Sequence, residues 1–253
     1  MDPHSTDDVN ACAELLARND PNRLRAVMAC PRDLRSPLFA LFAMNCEIAQ
    51  APWASQEPII CEMRLQWWFD ALDDIASGKT VTTHPALSIL CTLLNPAQAR
   101  NLQNLVSARR WDIYRDPFDT LHAHHLYIRQ TSGILYETAA ALLHSNCTTQ
   151  AYYMGTAIGA ANFLNALPAL ERAGKIPMID GRPTAIRDFA TWGHTRIPKR
   201  LDRAARLACL SGYTAKTTLK QVQSNPSVLG DIRPSENPMI DRMRFLKFAL
   251  IGP

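Results

Sequence analysis

A chain of 253 residues with 47% hydrophobic, 20% charged and 8% aromatic side chains can bury one sizeable core or two small ones, which excludes a disordered, fibrous or disulfide-dense mini-protein. Its 27 lysines and arginines against 23 aspartates and glutamates give a formal charge of +4, too mild, without clustering, for a nucleic-acid binder. The total hides a polarity: residues 1–120 carry 11 basic and 15 acidic side chains, residues 121–253 carry 16 and 8.

The opening MDPHSTDDVN is polar and acidic. It has neither the basic and apolar regions of a secretory leader nor the acid-free, Arg-rich character of a mitochondrial presequence, so the expectation is a cytoplasmic chain, at most peripheral to a membrane. Polar residues then precede proline at Asp20-Pro21, Ser36-Pro37, Glu57-Pro58, Asn95-Pro96 and Asp116-Pro117, an arrangement that places an N-cap before a first-turn proline. With the apolar periodicity between them, these signals predict helices over 7–18, 21–29, 36–50, 57–77, 84–94, 96–115, 118–144, 148–167, 184–191, 198–223 and 237–249. Strand alternation is hard to find. The predicted fold is one all-α domain over residues 1–253, with long loops only at 175–183 and 224–236, where Pro, Gly, Asn and Ser concentrate.

Within 57–77, Leu65, Trp68, Leu72 and Ile75 share a face; one of Trp67 and Trp68 should turn inward and the other against a neighbouring helix. Gly78 follows as the C′ residue. From Thr138 to Leu170 there is no charged side chain. His144, Asn146, Gln150, Asn162, Asn165 and Pro168 within it favour a helix buried in protein over a lipid-facing span. The seven cysteines, an odd number without any CxxC, argue against a disulfide framework or zinc site and for buried thiols in a reducing compartment.

Three constellations could carry chemistry. Asp70, Asp73 and Asp74 form DxxDD, whose spacing puts carboxylates on one helical face, able to hold Mg²⁺ against a diphosphate; a solvated amphipathic face is the competing reading. His122 and His125, three apart and flanking His124, can meet at a metal or lie on a partly exposed helix surface. Between 172 and 220, Arg172, Lys175, Arg182, Arg187, Arg196, Lys199, Arg200, Arg203, Arg206, Lys216 and Lys220 face only Asp180, Asp188 and Asp202. Such a segment suits a diphosphate, an anionic membrane surface or an acidic partner, or simply solubilises the chain; Arg196, Lys199, Arg200, Arg203 and Arg206 are its densest patch. No HExxH, GxSxG, GxGxxG or GxxxxGK[ST] occurs, which removes zincin, hydrolase and nucleotide-loop readings.

Five motifs in order give the chain a family resemblance: PLFALFA from Pro37, MRLQWWFDALDDI from Met63 with Gly78 and His84-Pro85 after it, ARRWDIY from Ala108, YIRQTSG from Tyr127 and GTAIGAANFL from Gly155. Together, over about residues 24–178, the chain resembles the squalene/phytoene synthase family. That resemblance implies an isoprenoid synthase-like helical bundle around a central apolar cavity. It also implies head-to-head joining of two isoprenoid diphosphates, with Mg²⁺ held by two Asp-rich motifs on facing helices. On that pattern Ala49, Gln50 and Trp53 stand at the first motif's aspartate positions, and Ala166 and Leu170 at the second's.

The chain thus looks like the degenerate branch of the family, which includes a mitochondrial assembly factor of respiratory complex I. The implied function is non-catalytic: binding a protein partner or membrane surface, with no cofactor and no nucleic acid. Two alternatives stay open. One is an active prenyl-diphosphate transferase with Mg²⁺ on Asp70, Asp73 and Asp74; the other is a protein that binds an isoprenoid or other lipid, with Thr131, Gly133 and Asn162 at the cavity.

Overall fold

Proline at the first turn starts helix after helix. Its fixed φ suits that position and its missing N–H would have no partner there anyway. The computed structural model describes residues 5–229 and 237–253, and among them every regular element is helical. In chain order these are α1 (Thr6–Asn19), α2 (Pro21–Met28), α3 (Arg35–Gln50), α4 (Pro58–Ala76), α5 (Pro85–Leu90), α6 (Pro96–Ala108), α7 (Leu121–Ile128), α8 (Ile134–Leu142), α9 (Thr148–Arg172), α10 (Pro183–Thr195), α11 (Arg203–Ala208), α12 (Ala215–Ser224) and α13 (Pro238–Leu250). Arg129–Gly133 joins α7 to α8 through a π-helical turn.

The capping chemistry is local. Asp20 accepts the Arg23 amide at 2.9 Å, and Asn95 and Gln98 form a reciprocal capping box at the start of α6. Gly78, at φ +79°, ends α4 as expected; a side chain with a Cβ would be strained there. Other punctuation behaves differently. Ser36-Pro37 lies inside α3, which grows out of a 3₁₀ turn over Arg32–Leu34. Glu57 stands at the start of α4 without a side-chain cap. Asp116-Pro117 precedes an irregular stretch, and Thr120 caps α7 instead, accepting the Ala123 amide at 3.1 Å.

Helix α3 is apolar on nearly every side, and Leu38, Leu41, Met44 and Ile48 are fully buried, each contributing about 1.5–3 kcal/mol of hydrophobic stabilisation. It packs against α1 and α5 on one flank and α8 on the other; α8 packs against α9, and α9 against α10 and α12. α4 and α6 pair beside this stack. The approach of α9 to the π turn is close. A Cβ on Gly155 would fall 2.7 Å from the Tyr136 Cβ and 2.8 Å from the Ser132 carbonyl oxygen, so only glycine fits.

Several predicted boundaries move. The helix expected over 148–167 runs on through Pro168 to Arg172. The one expected over 96–115 stops at Ala108 and tightens into a 3₁₀ turn, Arg109–Asp112. The stretch 198–223 becomes helical only at Arg203, where Asp202 caps α11 by accepting the Ala205 amide, and a 3₁₀ turn over Leu210–Gly212 separates α11 from α12; Gly212 packs against Ile158, whose side chain leaves no room for a Cβ there. The loop expected at 224–236 begins with a 3₁₀ turn over Pro226–Val228, and its residues 230–236 lie outside the described residues. Leu65, Trp68, Leu72 and Ile75 are all buried, whereas Trp67 is 43% exposed and meets, edge-on, Trp68 and His84, the N-cap residue of neighbouring α5. All seven cysteines are free thiols, five of them buried. No described helix is long and apolar enough to cross a membrane.

Candidate functional site

Where α6 tightens, Arg109 and Asp112 are presented toward α7. The Tyr127 hydroxyl donates to both Asp112 oxygens, at 2.9 and 3.0 Å. Arg109 donates to Asp112 Oδ2 at 3.0 Å and to the Tyr127 oxygen at 2.9 Å. Asp112 is only 5% exposed, so this charge is held by a matched set of donors, as a buried carboxylate requires. Burial, followed by the nearby Asp112 carboxylate, pushes the Tyr127 hydroxyl above its ordinary range. Lys175 closes the set from behind: its Nζ donates to the carbonyls of Asp112 at 2.6 Å and Tyr114 at 2.5 Å. It lies 5.0 Å from the Trp53 ring centre and 5.5 Å from that of Trp111. Burial lowers its pKa.

In front of this network opens a cleft of about 300 Å³. Its polar rim is Arg23, Arg109, Asp112, Thr131, Ser132 and Asn162; its apolar wall comes from Trp53, Ile128, Phe163, Ala166 and Leu170. The π turn places Thr131 and Ser132 here, and the Thr131 hydroxyl donates to the Tyr127 carbonyl at 2.7 Å. Such a wide turn interrupts the regular ladder and re-aims the side chains beside it. The Nε atoms of Arg23 and Arg109 are buried without a protein partner. A second cleft of about 520 Å³ shares Trp53 and is lined by Glu47, Gln50, Arg64, Trp67 and Trp68. There Glu47 meets His84 Nε2 at 3.0 Å.

The residues singled out from sequence separate accordingly. Trp53, Ala166 and Leu170 line the first cleft with Thr131 and Asn162, Gln50 lines the second, and Ala49 is half-buried outside both. Gly133 serves packing rather than the cleft, because a Cβ there would lie 2.7 Å from the Tyr152 ring. Asp70, Asp73 and Asp74 line neither cleft. Asp70 accepts from Gln66 at 2.7 Å, Asp73 from Gln103 at 3.3 Å, and Asp74 pairs with Lys79 at 2.7 Å.

The histidines do not converge on a metal. His124 is fully buried, stacked between Phe118 and Phe189 at 4.5 Å from each, and His125 stacks on Trp192 at 3.9 Å. The basic patch also divides. Arg196 lies over Trp192, and Arg206 donates to the carbonyls of Leu201 and Ala249, leaving Lys199, Arg200 and Arg203 exposed.

The donor set does not fit the Mg²⁺–diphosphate clamp that the fold family implies. Asp112 is the one carboxylate lining the first cleft, and it is already engaged by Arg109 and Tyr127. Among the described residues no three His, Cys, Asp or Glu side chains come together as a metal site. Of the polar groups here, Arg109, Asp112 and Tyr127 sit inside motifs read for their likeness rather than their pairing, whereas nothing local in sequence singles out Arg23.

Comparison with known proteins agrees with this architecture. The chain superposes on a dehydrosqualene synthase crystallised with ligand with a TM-score of 0.64 at 11% identity, over 96% of this chain and 95% of that one. With squalene synthase HpnC from Alicyclobacillus acidocaldarius the values are 0.61 and 14%, over 94% and 95%. At such identities the likeness is one of fold. In sequence it is 28% identical over 174 residues to the Drosophila melanogaster homolog of NADH dehydrogenase (ubiquinone) complex I assembly factor 6, covering 64% of this chain and 51% of that protein. It is 28% identical over 167 residues to the Bos taurus assembly factor 6, covering 62% and 48%. The chain therefore spans about half the length of the curated relatives it matches. The squalene/phytoene synthase pattern matches residues 16–178, more than half of the sequence, and the chain belongs to the squalene/phytoene synthase family.

Proposed function

We propose that this chain is a non-catalytic member of its family that binds a protein partner during assembly of a membrane respiratory complex and needs no metal to do so. The observation that carries the reading is the cleft itself. Trp53, Ala166 and Leu170, at positions where the family resemblance places aspartates, line it, and its single carboxylate is committed to Arg109 and Tyr127. Ionising an allylic diphosphate needs metal-held charge at the leaving group. A cleft with one engaged carboxylate offers no such clamp. The similarity to proteins named as complex I assembly factors supports the partner role.

Two experiments test this. Incubating the purified chain with farnesyl or geranylgeranyl diphosphate and Mg²⁺ should give no condensed product; turnover that Asp70→Asn abolishes would instead establish the transferase reading. Deleting the gene in its source organism should reduce assembled NADH:quinone oxidoreductase on native gels, and unchanged assembly would refute the partner role. The lipid-binding reading has one observation in its favour, the apolar wall of the cleft facing Arg23 and Arg109. Native mass spectrometry of the purified chain should reveal a co-purified acidic lipid if that reading holds, lost on Ala166→Trp.

A further inference from the structure

Helix α13 is apolar on two opposite faces. Phe245 and Phe248 point inward and are buried. The docking is fixed by Asp241, which pairs with Arg25 at 3.0 Å and accepts the Tyr213 hydroxyl. Arg25 also lies 4.3 Å from the Phe245 ring centre. On the other side, Met239, Met243, Leu246 and Leu250 are 70%, 65%, 57% and 73% exposed. Spacings of four, three and four put these side chains on one stripe along the helix. Soluble surfaces carry isolated apolar residues routinely, but a continuous stripe of large ones marks an interaction face.

The charges beside the stripe identify what covers it. Asp241 is the only acid on the helix, and it is spent on Arg25 and Tyr213. At 100° per residue, Arg242 falls on one side of the stripe and Lys247 on the other, both exposed, with the exposed Ile240 and Ile251 just beyond Lys247. Arg206 bonds the carbonyls of both Leu201 and Ala249, which ties the start of α11 to the C-terminal end of α13, and the exposed Lys199, Arg200 and Arg203 are within a few residues of that tie in sequence. An apolar stripe edged by cations is the pattern of a helix lying in a lipid–water interface, its large side chains among the acyl chains and its cations at the headgroups. Methionine adapts well to such a fluid surface. A second copy fits poorly, because two-fold pairing would set the Arg242 and Lys247 edges of one stripe against those of the other.

From this we infer that α13 is a membrane-surface anchor, which lays Met239, Met243, Leu246 and Leu250 into an anionic bilayer with Arg242, Lys247 and the 199–203 cations at its headgroups. The inference does not depend on the assembly reading; a catalytic or lipid-carrying chain would use the same face.

Flotation of the purified full chain tests it, using vesicles of phosphatidylcholine alone and of equal parts phosphatidylcholine and phosphatidylglycerol. The expected result is flotation with the anionic vesicles only, weakened by high salt. Met243→Ser with Leu246→Ser should weaken binding at least about thirty-fold, and Arg242→Glu with Lys247→Glu more than about twenty-fold. The affected side chains are exposed, so circular dichroism melts of both variants should match the parent. A measurement on the unaltered chain stands beside the variants: amide hydrogen exchange over 238–251 should slow when anionic vesicles are added. Failure to float, equal binding to neutral vesicles, an apolar variant that binds like the parent, or unchanged exchange over 238–251 would each overturn the inference. So would a dimer in sedimentation that Met243→Ser with Leu246→Ser dissociates, which would assign the stripe to protein contact.

Discussion

Asp112 holds together the polar side of the cleft, and its removal strands charge. Without its carboxylate, Arg109 keeps a buried guanidinium beside Tyr127 with no counter-ion. Asp112→Ala should therefore cost about 3–5 kcal/mol of unfolding free energy, read from urea midpoints. Tyr127→Phe leaves the ion pair in place and should cost only about 1–2 kcal/mol. His124 gives a second residue-scale expectation, in pH. Burial first, then the neighbouring His125, lowers its pKa from the ordinary 6.5 to about 3; His125 is lowered to about 4, by burial and then by Arg129, Arg196 and His122. Below pH 6.5 the unfolded chain takes up protons that the folded chain refuses, so stability is full above 6.5 and falls as pH drops toward those values. At pH 5 the fully buried His124 alone accounts for about 2 kcal/mol. His124→Phe, which preserves the stack between Phe118 and Phe189, should be neutral at pH 7 and narrow the gap between urea midpoints at pH 7 and pH 5.

At the scale of elements, the contact between α9 and the π turn is the tightest constraint. Gly155→Ala drives a methyl group against the backbone oxygen of Ser132, which cannot swing away as a side chain can. A loss of about 1–3 kcal/mol is expected, again by urea denaturation; wild-type stability in the alanine variant would mean that α9 can shift outward at no cost. Elements of this kind were only partly legible in the sequence. Helix existence followed from periodicity and first-turn prolines, and the shared face of Leu65, Trp68, Leu72 and Ile75 read directly from spacing. Ends were less legible wherever the deciding partner is remote. The 3₁₀ turn that interrupts the 198–223 stretch packs its Gly212 against Ile158 of α9, a partner more than fifty positions away. The π turn, too, has no local signature, since Arg129–Gly133 continues a helical pattern on both sides.

For the molecule as a whole, the hydrophobic core is continuous from α1 to α13, and its thiols report on its integrity. Burial first, with the Asp8 and Glu47 charges adding to it, pushes the Cys12 thiol up to about 12, and burial takes Cys30 to about 11. Ellman's reagent should titrate no more than Cys91 and Cys147 readily in the native chain, the two half-buried thiols, and all seven in denaturant. Rapid reaction of more than two would mean that the core opens locally. Family and fold class were legible at this scale because motif order survives divergence. The cleft's chemistry was less so: Arg23, Asp112 and Lys175 are far apart in sequence, and only the packing of α2, the 3₁₀ turn after α6 and the segment after α9 brings them near one another.

The pairing of Arg25 with Asp241 spans 216 positions. At about 5–20 residues per second, a ribosome needs on the order of ten to forty seconds to travel between them. During that interval Arg25 on α2 has neither Asp241 nor the Phe245 ring, and Tyr213, the other residue of that seat, is made only shortly before them. Docking of α13 on α2 therefore comes only after Pro238–Leu250 has been made. A stop codon a few residues before Pro238 would yield a chain with most of its core but with the Arg25 and Tyr213 side of α2 left uncovered by Phe245 and Phe248.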